Sequence, residues 1–86
     1  MSVKFSARAW EDYLYWQSTD KKILEKINRL IEDASRNAFE GIGKPEPLRG
    51  DLSGFWSRRI DREHRLVYRP REGTLEIASC RFHYDG

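Results

Sequence analysis

Cysteine is almost missing from this chain: Cys80 stands alone among 86 residues. A single thiol excludes an intramolecular disulfide, and the two histidines form no Cys/His cluster of the kind that holds zinc, so no metal and no other cofactor is expected. Long hydrophobic runs are missing too. No stretch approaches the roughly 20 apolar residues that a membrane helix needs. Met1 to Phe5 leads straight into a charged amphipathic segment, unlike a secretory signal, which makes the reducing cytoplasm the expected compartment and leaves no role for a membrane. A large excess of charge is also lacking, the formal net charge being +2.

What little surplus there is lies wholly in the second half. Met1 to Gly43 holds seven basic and seven acidic residues, whereas Lys44 to Gly86 holds nine basic and seven acidic, and eight of those nine are arginine. Arginine offers a flat fork of donors that matches a phosphate in two-point contact, so the type of cation says more here than the sum.

The length predicts one domain, residues 1–86, in which only about 60 to 65% of the unfolded chain's surface can be buried. A 38% hydrophobic share with 13% aromatics fits a small compact core rather than a disordered chain. Val3 to Phe5 reads as a short strand, and Ser6 as the N-cap of a helix to about Gln17 that gathers Trp10, Tyr13, Leu14 and Gln17 on one face. Tyr15 points the other way and is either covered by a partner or a solitary exposed aromatic. Thr19 and Asp20 offer the cap of a second helix, in which Ile23, Ile27, Leu30, Ile31 and Ala34 recur at helical spacing. The two helices should form an αα-hairpin. Arg36 to Gly50 reads as loop.

Three strands follow, Gly54 to Ile60, His64 to Arg69 and Thr74 to Phe82, with turns at Asp61-Arg62-Glu63 and Pro70-Arg71-Glu72-Gly73. The expected fold is α+β: an antiparallel meander with two N-terminal helices packed on one face. Pairing Ile60 with His64 sets Arg59 opposite Arg65 and Trp56 opposite Tyr68. Pairing Arg69 with Thr74 sets Leu66 opposite Ile77 and Tyr68 opposite Leu75. Alternation then places Trp56, Ile60, Leu66, Tyr68, Leu75 and Ile77 under the helices, and Phe55, Ser57, Arg59, Arg65, Val67 and Arg69 on the open face.

Within GFWSRRIDREHRLVY, residues 54 to 68, two arginines therefore sit side by side on that open face. Like charges directly opposite across strands repel. Either each finds an acidic neighbour such as Asp61, Glu63 or Glu76, or the pair holds an anion. Glu46, braced between Pro45 and Pro47, holds a carboxylate out from its loop at a restricted angle. The tail Arg81-Phe82-His83-Tyr84 adds an imidazole and a phenol. Together a carboxylate, guanidinium groups and an imidazole suit cleavage of RNA by its own 2′-hydroxyl. That reaction needs a base, cations for the charge on the phosphoryl oxygens, and an acid for the departing 5′-oxygen. Only RNA supplies that hydroxyl. Phe82 and Tyr84 could stack an unpaired base. Strand alternation sets Cys80, Phe82 and Tyr84 on the arginine face and turns His83 away, unless a bulge or frayed end after Arg81 intervenes. His64 falls on the covered side and reads as structural. Gly41-Ile42-Gly43-Lys44 has neither the spacing nor the following Ser or Thr of a Walker loop. Ser53 and Ser57 have no triad setting.

The blocks WEDYLYWQ (10–17), GKPEPL (43–48), LSGFWSRRI (52–60), EHRLVY (63–68) and CRFHY (80–84) closely resemble the YoeB (Txe/YoeB) toxins of the RelE superfamily, over nearly the whole chain. The resemblance implies a RelE-like fold and a bacterial type II toxin that enters the A site of the 70S ribosome and cuts mRNA. It implies Glu46 as general base, Arg65 as phosphate stabiliser and His83 as general acid, with Arg59, Tyr84, Arg49 and Lys44 contacting substrate. It also implies a Phd/YefM-type antitoxin, a toxin homodimer, and operator DNA bound only together with the antitoxin. Arg49 stands where lysine is common and Phe82 where tyrosine is common, and Asp85-Gly86 extends past the usual end. The alternatives are a non-catalytic interaction module of the same fold, and a superfamily relative that inhibits another target such as gyrase.

Overall fold

The structure is a computed structural model and describes residues 1–82. Its elements are β1 (Ser2–Phe5), α1 (Ala7–Thr19), α2 (Lys21–Arg36), β2 (Glu46–Pro47), a 3-10 turn at Gly50–Leu52, β3 (Trp56–Arg59), β4 (Arg65–Arg71) and β5 (Thr74–Ser79). The five strands form one sheet in the order β1-β5-β4-β3-β2, with β1 parallel to β5 and the other pairs antiparallel. The sheet is therefore mixed, and the expected meander is its central part.

Single side chains start both helices. Ser6 Oγ accepts from the Ala9 amide and donates to the Ala78 carbonyl, tying α1 to β5. Asp20 caps α2 by accepting from the Lys22 and Ile23 amides, while its own N–H closes α1 on the Trp16 carbonyl. One residue thus ends one helix and begins the next. Thr19 belongs to α1, with its hydroxyl bonded to the Tyr15 carbonyl. Ile27, Leu30 and Ala34 of α2 pack with Ala9 and Trp16 of α1 over Ile60, Leu66, Tyr68, Leu75, Ile77 and Cys80.

The buried face of α1 differs from the expected one. Ala9, Asp12 and Trp16 are buried, whereas Trp10 is 48% and Leu14 41% exposed. The reason lies in the sheet: Asp12 Oδ2 accepts from the Cys80 N–H at 3.0 Å and the Trp16 indole N–H donates to the Cys80 carbonyl at 2.9 Å. These polar bonds turn the helix, and Trp10 is left stacked on Tyr13 at the surface. Tyr15 is not solitary, because the Arg81 guanidinium lies 3.5 Å from its ring centre.

The β3–β4 register matches expectation, with Trp56 opposite Tyr68 and Arg59 opposite Arg65. The β4–β5 register does not. Arg71, not Arg69, pairs with Thr74, and Tyr68 faces Ile77, because Glu72 and Gly73, both at positive φ, make a two-residue turn. Pro70 is tolerated inside β4 because pairing with β3 stops at Tyr68, so the missing N–H leaves no ladder bond unmade on that side. A shift of two residues keeps every side chain on its face. A bulge does not: Val67 pairs with Ser79 but Tyr68 with Ile77, so Ala78 is the extra residue. Alternation flips there, and Cys80 enters the core rather than the arginine face. Burial pushes its thiol up to about 12, which leaves it un-ionised and inert near neutrality.

Candidate functional site

The proline-flanked glutamate lies on a strand. Glu46 and Pro47 form the sheet's edge, where a residue without an N–H is admissible, and Glu46 pairs with Ser57. Directly paired residues project to one face, so the exposed Glu46 carboxylate shares a face with Ser57, and with Arg59 two residues further along β3. Glu46 and Arg59 are diagonal neighbours, about 7–8 Å apart at the backbone. Just before Glu46, the Arg59 N–H donates to the Gly43 carbonyl at 2.6 Å, and Lys44 adopts a left-handed backbone with φ 52°. That uncommon conformation turns the chain into β2 and is a local strain of the kind that gathers at functional sites.

Arg59 and Arg65 stand directly opposite each other. Arg59 is exposed and Arg65 half-buried. The Arg65 Nη1 donates to the Asp61 and His64 carbonyls at 3.1 and 3.3 Å, which holds the guanidinium at the β3–β4 turn. Neither arginine pairs with a carboxylate among the described residues. The three acids offered for that purpose are engaged elsewhere or lie apart. Asp61 Oδ1 accepts from the Glu63 and His64 amides. Although desolvation alone would raise its pKa, those two bonds hold the Asp61 carboxyl below its ordinary value. Glu76 pairs with Arg69 at 2.8 Å, and Glu63 lies 3.7 Å from the His64 ring. Ser57 and Val67, on the same face, are buried, so that face is open chiefly around Glu46, Arg59 and Arg65. Arg49 and Lys44 are exposed nearby in the chain, before the 3-10 turn and before β2. His83 and Tyr84 lie outside the described residues.

The neighbouring arginine does something different. Arg58 alternates with Arg59 and points under the helices, fully buried, with all five of its N–H donors used. Nε donates to the Tyr68 hydroxyl, Nη1 to Asp33 Oδ2 and the Ile42 carbonyl, and Nη2 to the Asn37 and Glu40 carbonyls, at 2.6 to 3.2 Å. One guanidinium therefore holds the loop that leads into β2. Gly41 and Gly43, both at positive φ, let that loop come close: a Cβ at Gly43 would lie 2.6 Å from Leu30 Cδ2, and one at Gly41 would collide with the Asp33 carboxylate. Sequence reasoning left Arg58 among the arginines without a role. Its position two residues from both Trp56 and Ile60, on the same face of the strand, was the signal that it is buried.

The Arg58 hydrogen bond, with the Ile42 amide, holds the Asp33 carboxyl below its usual value of 3.8, and the Arg69 bond does the same to Glu76 below 4.5. Folded-state values below the unfolded ones mean that these groups stabilise fully above the unfolded values, and that this stabilisation is lost as pH falls through the folded ones. Urea unfolding midpoints should therefore decline as pH drops below about 4.5. Asp33→Asn should lower the midpoint at pH 7 and flatten the acid limb. A midpoint that holds steady from pH 6 to pH 3 would contradict this.

A model of YoeB-like toxins of bacterial type II toxin-antitoxin systems matches residues 5–84. Toxin YoeB of Escherichia coli K12 is 61% identical over 84 residues, covering 98% of this chain and all of that protein. The chain belongs to the YoeB toxin family. Among solved structures, a YoeB/ParE toxin from Agrobacterium tumefaciens superposes with a TM-score of 0.94 at 53% identity, covering 98% of this chain and 100% of that one. Staphylococcus aureus YoeB, solved in complex with YefM and as a dimer, superposes with a TM-score of 0.91 in both cases, at 50% and 52% identity, covering 98% of each chain. This YoeB-family chain is thus a type II toxin with the expected RelE-like α+β fold. The family match contains Glu46, Arg59, Arg65, His83 and Tyr84. No helix among the described residues is long and apolar enough to cross a membrane.

Proposed function

We propose that this toxin is a ribosome-dependent endoribonuclease that cuts mRNA in the A site without a metal ion. What supports this reading is the pair of arginines, Arg59 and Arg65, set opposite each other with no carboxylate partner among the described residues and with Glu46 diagonal to Arg59. Such an arrangement costs stability unless an anion is held between the guanidinium groups. A phosphodiester is the anion that arginine forks fit.

In the reaction, Glu46 takes the proton of the 2′-hydroxyl and the 2′-oxygen attacks the neighbouring phosphorus. Arg65, with Arg59, stabilises the charge on the non-bridging oxygens, and His83 protonates the leaving 5′-oxygen. The products are a 2′,3′-cyclic phosphate and a free 5′-hydroxyl. Lys44, Arg49 and Tyr84 contact the message. The compartment is the cytoplasm, where ribosomes are. Escape from toxicity requires an antitoxin of the Phd/YefM type, as YefM accompanies the S. aureus relative, and operator DNA is bound only with that antitoxin. The exposed Trp10 and Leu14 supply apolar surface for a toxin homodimer.

The test is reconstituted translation with purified ribosomes and the wild-type toxin. The message should be cut within the A-site codon, and one 2′-deoxynucleotide at the cleavage position should abolish cutting. A message left intact by the wild-type toxin overturns the reading.

A further inference from the structure

The last described residues are held by an unusual set of partners. β5 ends at Ser79, yet Cys80, Arg81 and Phe82 do not run free. Asp12 and Trp16 take the Cys80 N–H and carbonyl, and Arg8 reaches the Arg81 carbonyl at 3.5 Å. The Arg81 guanidinium lies between the Tyr15 and Phe82 rings, 3.5 and 4.5 Å from their centres. At Phe82, φ is +66°, a left-handed conformation that an aromatic residue rarely adopts without being held there. Two bonds hold it: its N–H donates to His64 Nδ1 at 2.7 Å, and its carbonyl accepts from the Arg65 N–H at 3.1 Å.

His64 is itself immobilised. Its ring stands edge-on to Trp16 at 4.8 Å and packs against Phe82 at 5.6 Å, and its backbone N–H donates to Asp61 Oδ1 at 2.7 Å. An Nδ1 that accepts a hydrogen bond carries no proton, so the ring's proton is on Nε2, which lies 3.7 Å from the Glu63 carboxylate. The imidazole thus offers the tail one lone pair in a fixed direction. The residue after Phe82 is His83, and Phe82 is bonded to the backbone of Arg65 itself.

We propose that His64 is a positioning residue for the cleavage reaction. Its Nδ1 locks Phe82, whose carbonyl is bonded to the Arg65 N–H, in the left-handed conformation, and His83 is the next residue in the sequence. The proposal rests on the reading of the site as a ribonuclease. It assigns a job to the histidine that touches no substrate, and to the strained backbone at Phe82.

Two substitutions of similar shape separate the lone pair from the packing. His64→Leu fills the space but accepts nothing, whereas His64→Asn places an oxygen close to where Nδ1 stood. In His64→Leu the Phe82 amide should exchange with solvent about tenfold faster, the value of one lost hydrogen bond. Single-turnover cleavage on saturated ribosomes should slow about tenfold or more, with the half-saturating toxin concentration unchanged, as for a contact that aligns a group rather than binds substrate. His64→Asn should restore most of both. Unchanged exchange and rate in His64→Leu, or a folded His64→Asn that rescues neither, overturns the proposal. If His64→Leu does not fold, the wild-type protein decides: nitrogen-15 spectra should show Nδ1 unprotonated and coupled to the Phe82 amide proton, and a proton on Nδ1 overturns the lock. Should the wild-type toxin leave message uncut, the ribonuclease reading fails, and amide exchange and the nitrogen spectrum still decide whether His64 holds the tail.

Discussion

Arg58→Met is expected to lower the unfolding free energy by about 3–5 kcal/mol, the cost typical of removing one partner from a buried ionic network. That is a large part of the roughly 5–15 kcal/mol available to a domain of this kind. Methionine fills the stem's volume, so the loss does not come from a cavity. It comes from the groups left behind: the carbonyls of Asn37, Glu40 and Ile42, the Tyr68 hydroxyl and the Asp33 carboxylate all receive their N–H from this one guanidinium. Burial already pushes the Tyr68 hydroxyl's pKa up, and that hydroxyl also donates to the Ala38 carbonyl, so the disturbance spreads to a second point of the same loop. Arg58→Lys keeps the charge but loses the planar fork, and should fall between wild type and methionine. The measurement is urea unfolding followed by circular dichroism. A methionine variant within about 1 kcal/mol of wild type would show that the loop's carbonyls find water instead.

The loop that Arg58 holds is also the one that delivers Glu46, and this connects packing to the site. Helix α2 was legible in the sequence because its apolar positions recur with helical period and its cap is a single acidic residue. So was the opposition of Arg59 and Arg65, because a short turn between two alternating strands leaves one register that buries the apolar set. Features set by distant partners were not legible. Period alone placed Trp10 and Leu14 inward, but the Asp12 and Trp16 bonds to Cys80, more than 60 residues away in the chain, decide which face of α1 is buried. Glu46 and Pro47 are too short a run to read as a strand, and their pairing depends on Gly43 reaching Arg59. The bulge at Ala78 carries no local signature. It sends Cys80 to the core and reverses the alternation from which the tail's direction was read. The parts of the site on regular strands could thus be read from period two, while the part on the loop depends on a side chain, that of Arg58, that bonds to backbone.

Glu46→Gln and Arg65→Ala should each slow single-turnover cleavage on the ribosome by about 10²-fold or more while leaving the fold intact. The two losses have different causes. Glutamine keeps the shape of the exposed Glu46 side chain and removes its charge and its ability to take a proton, so the rate should fall far more than the half-saturating concentration changes. In the proposed reaction, alanine at residue 65 removes the cation that offsets the charge on the phosphoryl oxygens. It also frees the Asp61 and His64 carbonyls at a turn where water can reach them, so the effect on stability should stay small. Arg59→Ala separates function from folding most sharply. It removes one of two like charges set directly opposite on adjacent strands, and should leave stability unchanged or raise it by a few tenths of a kcal/mol, yet it should slow cleavage. A residue whose removal helps the fold and harms the reaction is held in place for the reaction. If Arg59→Ala instead destabilised the toxin and left cleavage at the wild-type rate, the arginine pair would be a structural feature of the strand edge, and the phosphodiester would have to be held elsewhere.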